Sequence, residues 1–216
     1  MEKSEEFIQA VEDFVRKAME GHDSGHRWSH VERVVRLSLY IHDCEKTGNR
    51  LTIELGALLH DIGDHKFGMH DGPEEIKKLL GSLGVDKEII DEVISINNNI
   101  SFSKRTASME KSNELMIVQD ADRLDAMGAV GIARAFSYGG FKGREIYDPK
   151  VGYINPVNFN SALRSSTSTI HHFYEKLLIL KDLMNTATGK RLAAGRHDFM
   201  VRYLEQFYRE LGSENY

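Results

Sequence analysis

The residues that point to chemistry begin with an adjacent histidine and aspartate, His60-Asp61, closing the apolar run Leu55-Gly-Ala-Leu-Leu. Ionisable groups at the end of such a run cost free energy unless something satisfies them. A His-Asp pair alone is common, but two other segments add to its weight. In Gly21-His-Asp-Ser-Gly-His-Arg-Trp-Ser-His-Val, His26 and His30 stand four apart and share a face if a helix reaches back that far. His30 is also in phase with Val34, Leu37 and Ile41, on a core-facing stripe. A core histidine bonded to backbone is the competing reading for His30 alone. In Val118-Gln-Asp-Ala-Asp-Arg-Leu-Asp-Ala-Met-Gly, Asp122 and Asp125 continue the stripe of Leu115 and Val118 toward a helix C-terminus. The helix dipole disfavours carboxylates there. Buried anions at that end need a compensating cation, either a metal ion or an ion pair to Arg123 or Arg134.

The order His, then His-Asp, then Asp resembles the HD superfamily of metal-dependent phosphohydrolases. The resemblance extends over roughly residues 5 to 205 through the runs GHDSGHRWSHVERV, LLHDIGDHKF, VQDADRLDAMGAVGIARAF and FYEKLLILKDLMNT, which are similar to a bacterial HD subfamily of nucleotide pyrophosphohydrolases. It implies an all-helical bundle with the site at its centre. It also implies His30, His60, Asp61 and Asp122 as metal ligands, the first Asp of the Asp-Arg-Leu-Asp segment being the ligand in the family. Asp125 then supports the site, orienting a histidine ligand. Relatives often carry a catalytic acid or histidine four residues after the HD histidine, and Asp64 stands there. Asp61 and Asp64 are thus the candidate catalytic residues, with Asp64 facing the same cavity if the helix continues past Gly63. Many HD enzymes hold a second metal with additional histidines. The later segment Asn97-Asn-Asn-Ile-Ser-Phe-Ser has none, which favours one metal ion, although His65 and His70 lie nearby.

Two imidazoles and two carboxylates form a borderline-hard ligand set suited to Mn²⁺, Fe²⁺, Co²⁺, Ni²⁺ or Mg²⁺ rather than to a closed structural Zn²⁺ site. Such an ion polarises a phosphate oxygen and lowers the pKa of a bound water, while a neighbouring acid such as Asp64 handles a proton. The subfamily resemblance implies conversion of nucleoside or deoxynucleoside triphosphates to monophosphate and pyrophosphate. A triphosphate needs more positive charge than one ion, and Lys66, Lys104-Arg105, Lys142 and Arg144 are the candidate phosphate-binding residues. For each, a solvated surface charge is the alternative. Tyr147 and Tyr153 are candidates to stack on a base or simply to pack. His171-His172, the Phe199, Tyr203, Phe207 series and Trp28 read as structural.

The elements that must position these residues are helical. Apolar residues recur at steps of three and four, and only Pro73, Pro149 and Pro156 interrupt them. The pattern predicts helices over about 4–20, 28–46, 52–61, 73–84, 87–98 and 113–126, a short one near 130–138, and two long ones over about 161–184 and 189–211. Asp86 and Ser112 read as N-caps. Residues 139–160, with four glycines and two prolines, read as a long irregular loop. No repeat and no shift in composition marks a linker. The expectation is therefore one all-α HD-type domain over 1–216, with a motif-bearing core about 22–130 and the C-terminal helices about 161–211 packed on it.

With 216 residues, 41% hydrophobic and 28% charged, the chain supports a sizeable core without disulfides. A net charge of −5 argues against a nucleic-acid backbone as partner, but not against a small phosphorylated substrate such as a nucleotide. Cys44 is the single cysteine, the first residues carry no signal-peptide pattern, and no stretch is long and apolar enough to span a bilayer. The expected setting is cytoplasmic and free of membrane. Competing functions are a phosphatase or phosphodiesterase for another phosphorylated metabolite, guanosine alarmones included, and a nucleotide sensor without turnover.

Overall fold

The computed structural model describes residues 2–20, 28–63, 71–100, 111–157 and 168–212. Among these, nine α-helices account for most of the chain, and one isolated parallel bridge, Glu145 with Ser168, is the nearest approach to a strand. The all-α expectation holds. Among the described residues the backbone groups into two compact units, one running to Asp122 and one beginning at Arg123.

The first unit is organised around α3 (Arg50–Leu59), which packs against α1 (Glu2–Ala18), α2 (Trp28–Glu45) and α5 (Lys87–Asn99). Its residues Thr52, Ile53 and Leu55–Leu59 are all buried, so α3 is apolar around its circumference, as a helix enclosed on all sides must be. Asn49 starts it by accepting hydrogen bonds from the Thr52 N–H at 3.0 Å and hydroxyl at 3.2 Å. The close approach of α5 depends on Gly56: a Cβ there would stand 2.7 Å from Ile96 Cδ1. Val11 and Val15 of α1 join Leu55, Leu58, Leu59, Ile76, Leu80 and Val93 in one core cluster.

α4 (Gly72–Ser82) starts as Pro73 suggests, with the Asp71 carboxylate accepting from Glu74 N–H at 3.2 Å. Asp86 does occupy the N-cap of α5 but makes no side-chain cap bond. Ser112 caps α6 (Asn113–Asp125), accepting from Leu115 N–H at 3.1 Å while its hydroxyl donates to Glu92.

In the second unit, α7 (Gly128–Phe141) runs through Gly139 and Gly140, beyond the expected loop boundary at 139. The glycines serve packing: a Cβ on Gly139 would meet Thr169 Oγ1 at 2.2 Å. α7 ends in a Schellman motif, with Arg144 N–H bonded to Gly139 O at 2.9 Å and Gly143 N–H to Gly140 O at 3.1 Å. The expected helix over 161–184 is not uniform. Its described part is a short α8 (Thr169–His172), a π-helical turn (Phe173–Leu177) and a 3-10 stretch (Leu178–Leu183). Phe173, Tyr174, Leu177, Leu178 and Leu180 are all buried in it. α9 (Ala187–Glu210) is capped by Thr186, whose hydroxyl accepts from Gly189 N–H at 2.9 Å. Phe136 and Phe173 pack on Tyr203, while Phe199 of the same series is exposed. No described helix is long and apolar enough to cross a membrane.

Candidate metal centre

Three stretches of the first unit converge. His30 comes from the first turn of α2, His60-Asp61 from the turn that begins where α3 ends, and Asp122 from the C-terminal part of α6. The Nε2 atoms of His30 and His60 lie 3.3 Å apart. Asp61 Oδ2 lies 3.5 Å from His30 Nε2 and 3.4 Å from His60 Nε2, and Asp122 Oδ1 lies 3.5 Å from His30 Nε2. His30, His60 and Asp122 each offer a ligand atom, all within 4.8 Å of one another. Two donors about 2.1 Å from one ion, at about 90–110° to each other, lie about 3.0–3.4 Å apart. The observed contacts match that spacing, and the imidazole and carboxylate donors suit a divalent ion.

The histidines are buried, whereas the Asp61 and Asp122 side chains keep 14% and 34% of their exposure, leaving a solvent-facing side on the cluster. His60 Nδ1 pairs with the Ala57 carbonyl at 2.7 Å. A carbonyl only accepts, so Nδ1 carries a hydrogen, and in the neutral ring that a metal would bind, Nε2 is the nitrogen whose lone pair faces the cluster. Burial pushes the His60 imidazolium pKa down. The Asp61 carboxylate, by charge and hydrogen bond, together with Asp122 and the Ala57 carbonyl, outweighs it and raises the pKa to about 9. So strong a carboxylate field at a buried imidazole is also what a cation would meet there.

The turn that carries His60 and Asp61 is held by backbone contacts. Gly63 has φ +84, and a Cβ on it would fall 2.3 Å from Gly72 Cα; a Cβ on Gly72 would fall 2.4 Å from Ile62 O. The two glycines allow the start of α4 to lie directly on the turn. From α5, Asn97 Nδ2 reaches Leu59 O at 2.9 Å, His60 O at 3.2 Å and Ile62 O at 2.8 Å. One turn before Asp122, Gln119 Nε2 donates to Asn99 O at 2.7 Å, and Lys111 Nζ donates to Gln119 Oε1 at 3.0 Å.

Of the residues singled out from sequence, His30, His60, Asp61 and Asp122 are brought together. Asp64, Lys66 and Lys104, like His26, His65, His70 and Arg105, lie outside the described residues. α3 ends at Leu59 and Gly63 has φ +84, so the role expected of Asp64 rests on the family resemblance alone. Asp125 is 1% exposed and pairs with Arg134 at 2.5 Å in the second unit, as the ion-pair reading expects. Lys142 and Arg144 also belong to the second unit, with Lys142 Nζ 5.6 Å and the Arg144 guanidinium 5.8 Å from the Tyr138 ring. Tyr147 and Tyr153 pack edge-on against Tyr208, at 5.8 and 4.9 Å. Asn97 also faces the turn without a signal in the sequence, because a cross-helix cap on backbone carbonyls leaves no local spacing pattern.

The chain matches the HD domain family over residues 27–127. It is 38% identical to YpgQ of Bacillus subtilis over 94% of this chain and 93% of that one. It is similar to the crystal structure of B. subtilis YpgQ in complex with ADP, with TM-score 0.78 and 34% identity over 96% of each chain. It is similar also to an HD-superfamily hydrolase from Bacillus thuringiensis, with TM-score 0.76 and 39% identity over 98% of this chain and 100% of that one.

Proposed function

Because the chain belongs to the HD superfamily of hydrolases, we propose that it is a metal-dependent phosphohydrolase that converts nucleoside or deoxynucleoside triphosphates to monophosphate and pyrophosphate. In this reading His30, His60, Asp61 and Asp122 hold one divalent ion. The observation that carries it is the convergence of these four side chains from three separate stretches, at contacts of 3.3 to 3.5 Å. The ADP bound to YpgQ supports a nucleotide as the small-molecule ligand.

When bound, such an ion supplies Lewis-acid polarisation of a phosphate oxygen and a water of lowered pKa. The chain's own residues do the rest. Ala57 O fixes the His60 tautomer, so Nε2 points inward without reorganisation. Asp61, buried but for 14%, contributes negative charge next to both imidazoles. Asp64 is the proposed proton carrier, and Lys66, Lys104, Lys142 and Arg144 the proposed cations that offset the charge of a triphosphate.

The deciding experiment is hydrolysis of a nucleotide panel with Mn²⁺, Co²⁺, Ni²⁺ or Mg²⁺, with pyrophosphate and orthophosphate followed separately in wild type and Asp61→Ala. Pyrophosphate with monophosphate, lost in the variant, is the expected result. Orthophosphate or ring opening would move the reading to a phosphatase or phosphodiesterase for another metabolite, alarmones included. Tight nucleotide retention without product would favour a sensor.

A further inference from the structure

We propose that Asn97 is a positioning residue for the metal centre, holding the His60-Asp61 turn through the carbonyls that flank its ligands. The inference rests on the metal-binding reading above and assigns a role to a residue that touches neither metal nor substrate.

A helix ends with carbonyls that have no intrahelical partner. At the end of α3 the need is acute, because the chain leaves the helix within a buried core and turns sharply at Gly63. Local groups meet part of it. The His60 ring takes Ala57 O, and Ile62 N–H takes Leu59 O at 3.1 Å. Asn97 meets the rest from another helix: its amide nitrogen faces Leu59 O, His60 O and Ile62 O, at 2.8 to 3.2 Å. All three partners are acceptors, so only the NH₂ end of the amide fits, and the orientation of the side chain is fixed by chemistry. Two amide hydrogens shared among three carbonyls make a fan that spans the residues on either side of Asp61.

The position of this amide is itself well determined. Ile96, next to Asn97, sits against Gly56, where no side chain intervenes between α3 and α5. Two residues on, Asn99 O accepts from Gln119 of α6, one turn before Asp122. The end of α5 thus braces both sides of the centre: the His60-Asp61 turn through Asn97, and the Asp122 helix through Gln119. Substituting a group that orients metal ligands typically weakens metal affinity 10- to 100-fold.

The test uses the full-length metal-free protein and compares wild type, Asn97→Ala, Asn97→Asp and Val93→Ala. Val93 is fully buried on α5 one turn before Asn97, so its truncation loosens the same helix while leaving the fan intact. Each protein is melted, titrated with Mn²⁺, and loaded with Co²⁺ for its visible ligand-field spectrum. The expected result is a 10-fold or larger rise in the Mn²⁺ Kd and an altered Co²⁺ spectrum in both Asn97 variants. Val93→Ala, at an equal or larger fall in Tm, keeps Kd within about 3-fold and the wild-type spectrum. Should the alanine variant fail to fold, Asn97→Ser, which keeps a donor on a shorter arm, takes its place and is expected to lie between wild type and Asn97→Asp. Asn97 variants with wild-type Kd and spectrum, or a Val93→Ala loss matching theirs, would overturn the inference while leaving the metal site standing. A folded wild type that binds neither ion would overturn the metal reading, and this inference with it.

Discussion

The contact between Gly63 and Gly72 gives a prediction whose size follows from the structure, through three glycine-to-alanine changes in the first unit. Gly81 lies within α4 with nothing within 4 Å of an added Cβ, so Gly81→Ala stabilises by about 0.4–1 kcal/mol through the unfolded chain. Gly84 has φ +73 and equally open surroundings, so Gly84→Ala carries left-handed strain alone, about 1–2 kcal/mol. Gly63 has φ +84 and the neighbour as well: its Cβ would lie 2.3 Å from Gly72 Cα and 2.5 Å from Gly72 N. Both atoms are backbone, so no rotamer change relieves the contact and two chain segments must part. Overpacking of that kind costs about 1–3 kcal/mol. Gly63→Ala should therefore cost about 2–5 kcal/mol in all, and at about 2–4 °C per kcal/mol its Tm falls well below that of Gly84→Ala. The assay is thermal and urea denaturation of the metal-free proteins, followed by Mn²⁺ titration. Because Gly63 lies two residues after Asp61, Gly63→Ala should also weaken Mn²⁺ binding while Gly84→Ala leaves it unchanged. Equal stability losses in Gly63→Ala and Gly84→Ala would refute the backbone contact and the account of how the turn is held.

Three further outcomes are expected. At 100 times its Kd, Mn²⁺ or Co²⁺ should stabilise the wild type by about 2.7 kcal/mol in thermal denaturation, and the gain should vanish in His60→Ala. A gain that survives in His60→Ala places the ion elsewhere. Arg134→Met should cost about 2–4 kcal/mol in urea unfolding, because it leaves the buried Asp125 carboxylate without its 2.5 Å partner, and adding Asp125→Leu should recover most of the loss. Burial, with the Lys176 and Arg144 charges, lowers the His172 pKa to about 4. The unfolded chain then takes up a proton that the folded one refuses, so this contribution is complete above pH 6.5 and is lost as pH falls toward 4. Discounted for a side chain 29% exposed, the loss is about 2 kcal/mol, and His172→Gln should flatten the stability profile in that window.

Much of the helical frame was legible because burial imposes period. The stripe of α2 and the cap at Ser112 reported themselves through residue type and spacing, whereas α9 buries Ala193, His197, Met200, Leu204 and Tyr208 rather than the series begun by Phe199. What escaped were departures that a one-dimensional pattern does not encode. Gly139 and Gly140 look like loop residues in sequence, yet the first is in α7 because Thr169 occupies the space of its missing side chain. The π and 3-10 turns over 173–183 are changes of winding, which a helical stripe read at a fixed 3.6 does not register.

The candidate site divides along the same line. Groups that do chemistry at a fixed atom must have particular side chains, and His30, His60, Asp61 and Asp122 could be recognised by type. Groups that only hold those atoms in place work through backbone carbonyls, which every residue has, so no residue type marks the carbonyls that are held. The Ala57 carbonyl that sets the His60 tautomer has no identity to recognise. Asp64 marks the limit of spacing as an argument: four residues imply a shared helical face only where a helix continues, and α3 ends at Leu59. Asp125 adds a further lesson. It is as buried as His30 and three residues from Asp122, yet Arg134 meets its charge directly. Burial identifies the ionisable groups that need compensation. Whether a metal or a guanidinium supplies it depends on which side chains converge, and that is a property of the folded chain.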